Sequence, residues 1–157
     1  MQTYRFTVKN KVDSGKGKLF SKAYKKRFNE IDSIISSDIY FVKCKELKEK
    51  DISLLKDVLF SDTVFQSCEI GKARLGENEH IVEVLVKKEV SDSTVTETLR
   101  ICKTLGIEIE DFNTGHSYVV RGNIRKERLD LLAKTLLCNP INEYYSLDLN
   151  PNLHFLA

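Results

Sequence analysis

The chain has 157 residues, of which 41% are hydrophobic and 31% are charged, and its formal net charge is only +2. This composition suits one domain of ordinary size, or two small ones that share a core. It excludes a disordered tail, and it lacks the large basic excess of a typical nucleic-acid-binding protein. No apolar run approaches the roughly 18 residues that cross a bilayer, and the first residues read as a strand rather than a signal peptide. We therefore expect a cytoplasmic protein without membrane partners.

The charge is unevenly distributed along the chain. Residues 1–30 hold nine Lys or Arg and two Asp or Glu, whereas residues 31–157 hold 16 and 21. A basic N-terminal region suits an acidic partner surface or phosphates, but it is also the ordinary composition of a solvated helix face.

Hydrophobic periodicity predicts three strands and two helices in the first half. Tyr4, Phe6 and Val8 alternate as in a half-buried strand, and a loop follows over residues 10–18. The further predicted elements are an amphipathic helix from Phe20 to Ile31, a strand over 39–47, a short helix capped by Asp51 and a strand over 64–70.

A Gly- and Asn-rich stretch, Gly71 to Glu79, reads as a linker, after which the order of elements repeats. The first predicted elements of this half are a strand over 81–87 and a helix that starts at a Thr94–Glu97 capping box and stops at Gly106. Two extended segments follow, over 107–112 and 117–121, and Asn113-Thr114-Gly115 interrupts them. The last elements are a helix over 125–137, which ends at Asn139-Pro140, and a strand over 141–149. We therefore divide the chain into a first unit (1–72), a linker (73–79), a second unit (80–150) and a loose tail (151–157).

The two halves align at an offset of 77 over the second helix, where Leu54-Leu55 falls on Leu131-Leu132. The same offset places Phe41-Val42 on Tyr118-Val119, the first strand needs one residue more, and the first helix needs two fewer. The expected fold is α+β, with two tandem ferredoxin-like units paired about a pseudo-two-fold axis. We expect each unit to cover one sheet face with its own helices.

No residue pattern indicates a catalytic, cofactor or metal site in this chain. The four cysteines lack CxxC spacing, and they read as small hydrophobes in a reducing compartment. The segment Ser14-Gly15-Lys16-Gly17-Lys18 lacks the spacing of a phosphate-binding loop. His80, His116 and His154 are far apart, and His116 beside Gly115 is a candidate general base for which the sequence identifies no partner.

Two strings in the second half resemble those of a known family. They are Thr114-Gly115-His116-Ser117-Tyr118 and the helix end that runs into Asn139-Pro140-Ile141. These strings resemble PurS, the small subunit of phosphoribosylformylglycinamidine synthase, with His116 in the place of the usual lysine. The duplicated unit also resembles the N-terminal domain of the large single-chain form of this synthase, where a fused pair stands in for a PurS dimer.

The resemblance implies an assembly role rather than catalysis. In that family a synthetase part (PurL-like) binds ATP and magnesium, a glutaminase part (PurQ-like) supplies ammonia, and the PurS-like part joins them and helps to form the protected route for ammonia. Cofactors would then belong to the synthetase and none to this chain. The candidate interface residues are Gly115, His116, Tyr118, Asn139 and Pro140.

Two other functions remain open from the sequence. One is a regulatory module of the ACT type, which binds an amino acid at the interface of paired units. The other is an RNA-binding ferredoxin-like domain that uses the basic residues 1–30, although our preferred interpretation includes no nucleic acid.

Overall fold

The computed structural model describes residues 2–10, 24–60, 66–71, 73–87 and 93–148, apart from the side chains of Asn10, Val58 and Leu59. The strands are β1 (Gln2–Asn10), β2 (Ile31–Cys44), β3 (Gln66–Ile70), β4 (Glu79–Val86), β5 (Asp111–Gly122) and β6 (Glu143–Leu147). The helices are α1 (Glu49–Leu54), α2 (Ser93–Thr104) and α3 (Lys126–Leu132). Two of them continue as π-helical segments, α1 into Leu55–Phe60 and α3 into Ala133–Leu137.

The six strands form one antiparallel sheet in the order β3-β1-β2-β5-β4-β6. In each half, the first strand in sequence lies between the other two. The halves meet where β2 pairs with β5, from Ile31 opposite Gly122 to Lys43 opposite Asp111. The α+β class is therefore confirmed, and the sheet runs without a break from one half into the other.

The helices lie on one face of the sheet, which we call the helix face. Two apolar clusters fill the space between them and the strands. One cluster includes Phe6, Val42, Leu55 and Cys102, and the other includes Phe28, Val84, Val120, Leu129 and Leu132.

Each cluster mixes residues from both halves of the chain. Cys102 of α2, in the second half, packs with β1 and β2, whereas Phe28, in the first half, packs with β4 and α3. The expectation that each half covers its own strands therefore holds for α3 and for α1 with its π-helical continuation, whose Leu129 and Leu55 pack on strands of their own half, and fails for α2 and for Phe28. The start of β2 extends beyond β1, and the start of β5 extends beyond β4. The segment that precedes β2 therefore lies over the second half, and the segment that precedes β5 lies over the first half.

Several sequence predictions fall outside the described residues. They are most of the loop over 10–18 with its Gly-Lys segment, the start of the helix from Phe20, and the tail 151–157. The predicted end of that helix at Ile31 is wrong, since Ile31 is buried and begins β2. The polar residues Ser33, Ser36 and Ser37 conceal the first part of this strand from a hydrophobicity pattern.

The predicted interruption at Asn113-Thr114-Gly115 is also wrong, because β5 passes through it without a bulge. Gly115 is required there by space rather than by a turn. A Cβ atom at this position would lie 2.0 Å from the Val84 carbonyl oxygen and 3.0 Å from Leu85 Cα. At Gly106, by contrast, φ is +77°, which agrees with the predicted helix stop.

Asp51 caps α1 from its third position rather than from the residue before it, since its carboxylate accepts a hydrogen bond from the Lys48 N–H at 3.3 Å. Thr94 lies within α2, and Glu97 forms an ion pair with Arg100.

The alignment of β2 on β5 at an offset of 77 is wrong by one residue. Phe41 packs with Ile39 and Leu85 on the face away from the helices, which we call the far face. Tyr118 packs with the apolar cluster of the helix face. Side chains alternate along a strand, so an odd offset between the two central strands exchanges the faces.

We expect Gly115→Ala to lower the free energy of unfolding by more than about 3 kcal/mol, because the Cβ meets backbone atoms of β4 that cannot move without breaking the ladder. Urea denaturation measures the change.

Gly76→Ala is the matched control. Its Cβ meets only the flexible Glu79 carboxylate, so the change should stay within about 1 kcal/mol. Equal effects of the two substitutions would contradict this account of Gly115.

Candidate functional site

The predicted interface residues lie in two places on the second half. Gly115, His116 and Tyr118 lie on β5, and Asn139 and Pro140 lie between α3 and β6. The rings of His116 and Tyr118 are 6.3 Å apart on the helix face, whereas Gly115 lies on the far face opposite Ile39. The β5 string therefore divides between the two faces of the sheet.

His116 has the partner that the sequence did not identify. Its register partner across the central ladder is Asp38 of β2, and His116 Nδ1 lies 2.9 Å from Asp38 Oδ1. This hydrogen bond, opposed by partial burial, raises the pKa of the His116 imidazole, and Glu143 adds to the increase. A long-range strand pairing creates the dyad, so no local spacing indicates it.

Glu143 links the two parts of the predicted site. Its Oε1 accepts a hydrogen bond from the Asn139 N–H at 2.9 Å, while its charge helps to raise the pKa of both His116 and Tyr118. Asn139 Oδ1 accepts the Ile141 N–H at 3.2 Å, and Lys87 Nζ donates to the Pro140 carbonyl at 2.8 Å. These bonds hold the Asn139-Pro140 step in a fixed turn beside β6.

This turn presents the most exposed large apolar side chain among the described residues. Ile141 is 78% exposed, compared with 45% for Leu105 and 43% for Leu131. The immobilised turn and the exposed apolar side chain together suit a contact with another protein.

The far face carries a second polar cluster, which the sequence analysis missed. Arg5 of β1 and Glu83 of β4 are both buried, and Arg5 Nη2 lies 3.7 Å from Glu83 Oε1. Arg5 Nη1 donates to Thr7 Oγ1 at 3.0 Å, but Arg5 Nε and Nη2 have no hydrogen-bond partner within the described structure. Burial lowers the pKa of Arg5 and raises that of Glu83.

Arg5 lines an open cavity of about 670 Å³ on the far face. Thr7, Ser37 and Ser117 also line it, together with Gly71, Ala73 and Arg74 from the connection between β3 and β4. The alternation of β1 and β4 did predict strands here, but no local motif distinguishes Arg5 from a solvated strand residue.

Four cysteine thiols lie among the described residues. All four cysteines are free, and burial raises the pKa of each thiol, that of Cys68 to about 11. Their interpretation as unreactive small hydrophobes agrees with this. Among the described residues, no group of three or more His, Cys, Asp or Glu side chains is placed to hold a metal ion.

None of the described helices is long and apolar enough to cross a membrane.

No family model matches the chain, and a search of the curated proteins finds no match.

We expect the His116 pKa to lie above its ordinary value of about 6.5 and to fall in Asp38→Asn, because the imidazolium loses its hydrogen-bonded carboxylate. An NMR titration of the histidine ring protons measures both values. Glu143→Gln is the matched control and should lower the pKa less. A wild-type value at or below 6.5 would contradict the dyad.

The raised pKa of His116 makes the contribution of the His116–Asp38 pair to stability depend on pH. The pair stabilises the folded state at pH values below the ordinary histidine pKa, and this contribution is lost as the pH rises through the raised pKa. Both side chains are about half exposed, so the contribution is less than about 1 kcal/mol.

We expect Glu83→Leu to destabilise the protein by about 3–5 kcal/mol, since it leaves the buried Arg5 charge uncompensated. The double variant Arg5→Met/Glu83→Leu removes both charges. Its free energy of unfolding should be higher than that of the wild type or lower by no more than about 1 kcal/mol. Urea denaturation of the wild type, the single variants Arg5→Met and Glu83→Leu and the double variant measures the coupling, and additive effects would contradict an interacting pair.

Proposed function

We propose that this chain is a non-catalytic structural module of phosphoribosylformylglycinamidine synthase, formed by two tandem PurS-like units that act as a covalent pseudo-dimer in the cytoplasm. The observation that carries the proposal is the β2–β5 ladder, which joins the two halves edge to edge into one sheet. A pair of subunits that associate through their edge strands would have this arrangement.

The positions of the strand ends support the duplication. The last residues of β1, β2 and β3 match the last residues of β4, β5 and β6 at offsets of 76, 78 and 77. At these offsets equivalent residues of the first two strands lie on the same face of the sheet, because Phe6 and Val82, and likewise Val42 and Val120, belong to the clusters of the helix face. The offset of 76 replaces the offset of 78 expected for the first strand.

The same match makes the two residues of the central dyad, Asp38 and His116, equivalent positions of the two units. At an offset of 78, the counterpart of Asp38 is His116, and these residues are also partners in the ladder. A pseudo-two-fold axis perpendicular to the sheet would pass through this pair. The position that family members fill with lysine would then lie at the interface between the two units.

The proposed partners are a synthetase part (PurL-like) that binds ATP and magnesium and a glutaminase part (PurQ-like). This chain would hold them together and contribute to the route for ammonia. Its proposed contact surface is the turn at Asn139, Pro140 and Ile141, which hydrogen bonds immobilise and which exposes an apolar side chain.

We expect the full chain to co-purify with a synthetase that lacks its own PurS-like part and with a glutaminase, in the presence of glutamine and nucleotide. The complex should use glutamine as its nitrogen source. Without this chain, the synthetase should retain activity with added ammonia and lose activity with glutamine. Absence of a complex with and without these ligands would overturn the proposal.

Ile141→Gln tests the proposed contact surface. It should weaken the complex at least about tenfold and leave the stability of the free chain unchanged, because Ile141 is exposed and packs against little of its own chain. Leu131→Gln removes a similar apolar side chain from α3 and is the matched control. Equal effects on assembly would contradict the assignment of the surface to this turn.

A second candidate function is an ACT-type regulatory module, which the polar cavity around Arg5 favours because a ligand-binding module needs such a cavity. A thermal-shift screen of amino acids discriminates between the two. A saturable shift by one amino acid, with no assembly with the synthetase, would favour this candidate.

A further inference from the structure

On the far face of the sheet, two buried guanidinium nitrogens of Arg5 have no part in the proposed assembly role. The Arg5 side chain is 9% exposed, and Arg5 is one of the residues that line the cavity described above. Arg5 Nη1 donates a hydrogen bond to Thr7 Oγ1, whereas Nε and Nη2 have no hydrogen-bond partners in the described structure. A buried polar group without a partner costs about 1–3 kcal/mol, and more when it is charged, so this arrangement requires an explanation.

The two unpaired nitrogens belong to one edge of the planar guanidinium group. Their N–H bonds point in nearly the same direction, and their spacing matches the two oxygens of a carboxylate or a phosphate. Glu83 does not occupy this edge in the usual bidentate manner, because its Oε1 lies 3.7 Å from Nη2, beyond hydrogen-bond distance, and neither Nε nor Nη2 has a hydrogen-bond partner in the described structure.

The charge of the cavity lining favours the same kind of ligand. The lining includes the cations Arg5, Lys9, Lys56 and Arg74 and one carboxylate, Glu69, while Glu83 lies beside Arg5. Ser37 and Ser117, which are paired across the central ladder, also line the cavity. Its volume of about 670 Å³ lies within the range of small-molecule sites.

We propose that the far-face cavity binds a small oxyanion, a carboxylate or a phosphate, whose two oxygens accept the Nε–H and Nη2–H bonds of Arg5. Arg74, which is exposed at the rim, contributes a second positive charge. This site faces away from the helices and does not depend on the chain being part of a synthase.

The test is calorimetric titration of the full chain with inorganic phosphate and, separately, with succinate, at constant ionic strength. We expect saturable binding of one anion per chain with a dissociation constant of about 1 mM or lower. Binding of phosphate alone identifies a phosphate ligand, binding of succinate alone a carboxylate ligand, and binding of both a general oxyanion site. Calorimetry is preferable to a melting curve, because phosphate stabilises most proteins nonspecifically.

The double variant Arg5→Met/Glu83→Leu removes the donor edge without leaving a buried charge, and it should bind at least about tenfold more weakly. Arg100→Gln removes an equal charge from the exposed face of α2, where Arg100 pairs with Glu97, and should keep the wild-type affinity. No saturable binding at about 20 mM of either anion, or equal affinity in the double variant and the wild type, would overturn the proposal.

A rim variant keeps the test decisive if the double variant does not fold. Arg74→Gln changes an exposed side chain, so we expect it to fold and to bind about threefold more weakly through loss of a nearby charge. Unchanged affinity in Arg74→Gln would show that Arg74 does not contribute, and an equal loss in Arg100→Gln would indicate nonspecific charge attraction; either result would overturn the assignment.

Discussion

The pairing of β2 with β5 is the constraint on which the rest of the structure depends. This ladder joins the two halves into one sheet, and it sets the relative positions of the connections that carry the helices. Since β2 and β5 extend beyond β1 and β4, each apolar cluster takes residues from both halves. Neither half buries its apolar surface alone, so loss of the central ladder would expose both clusters.

The central ladder also determines which polar groups meet. It brings Asp38 opposite His116 on the helix face and Ser37 opposite Ser117 on the far face. Arg5 and Glu83 reach each other across the two central strands. The helix face thus carries an accessible dyad beside a turn with an exposed isoleucine, and the far face carries a buried ion pair in a cavity. We propose a different occupant for each surface, a protein for the helix face and a small anion for the far face.

The two polar clusters differ in their energetic consequences because they differ in burial. The His116–Asp38 pair is about half exposed, so water screens it and it contributes little stability. Arg5 and Glu83 are nearly excluded from water, and their attraction must offset a large desolvation cost with incomplete hydrogen bonding. An arrangement that is costly and incomplete is a stronger indication of a ligand than an exposed dyad.

Local sequence patterns determined most of the strands, the helix stop at Gly106 and the end of α3 before Asn139-Pro140, because alternation, helical spacing and backbone restrictions act over a few residues. The tertiary structure decided the continuous path of β5 through Gly115, the packing of α2 and Phe28 over the opposite halves, and the partners of His116 and Arg5. Each of these depends on strands far apart in sequence, and a shift of one residue in their pairing moves every side chain to the opposite face. Sequence spacing within one segment carries no information about that register.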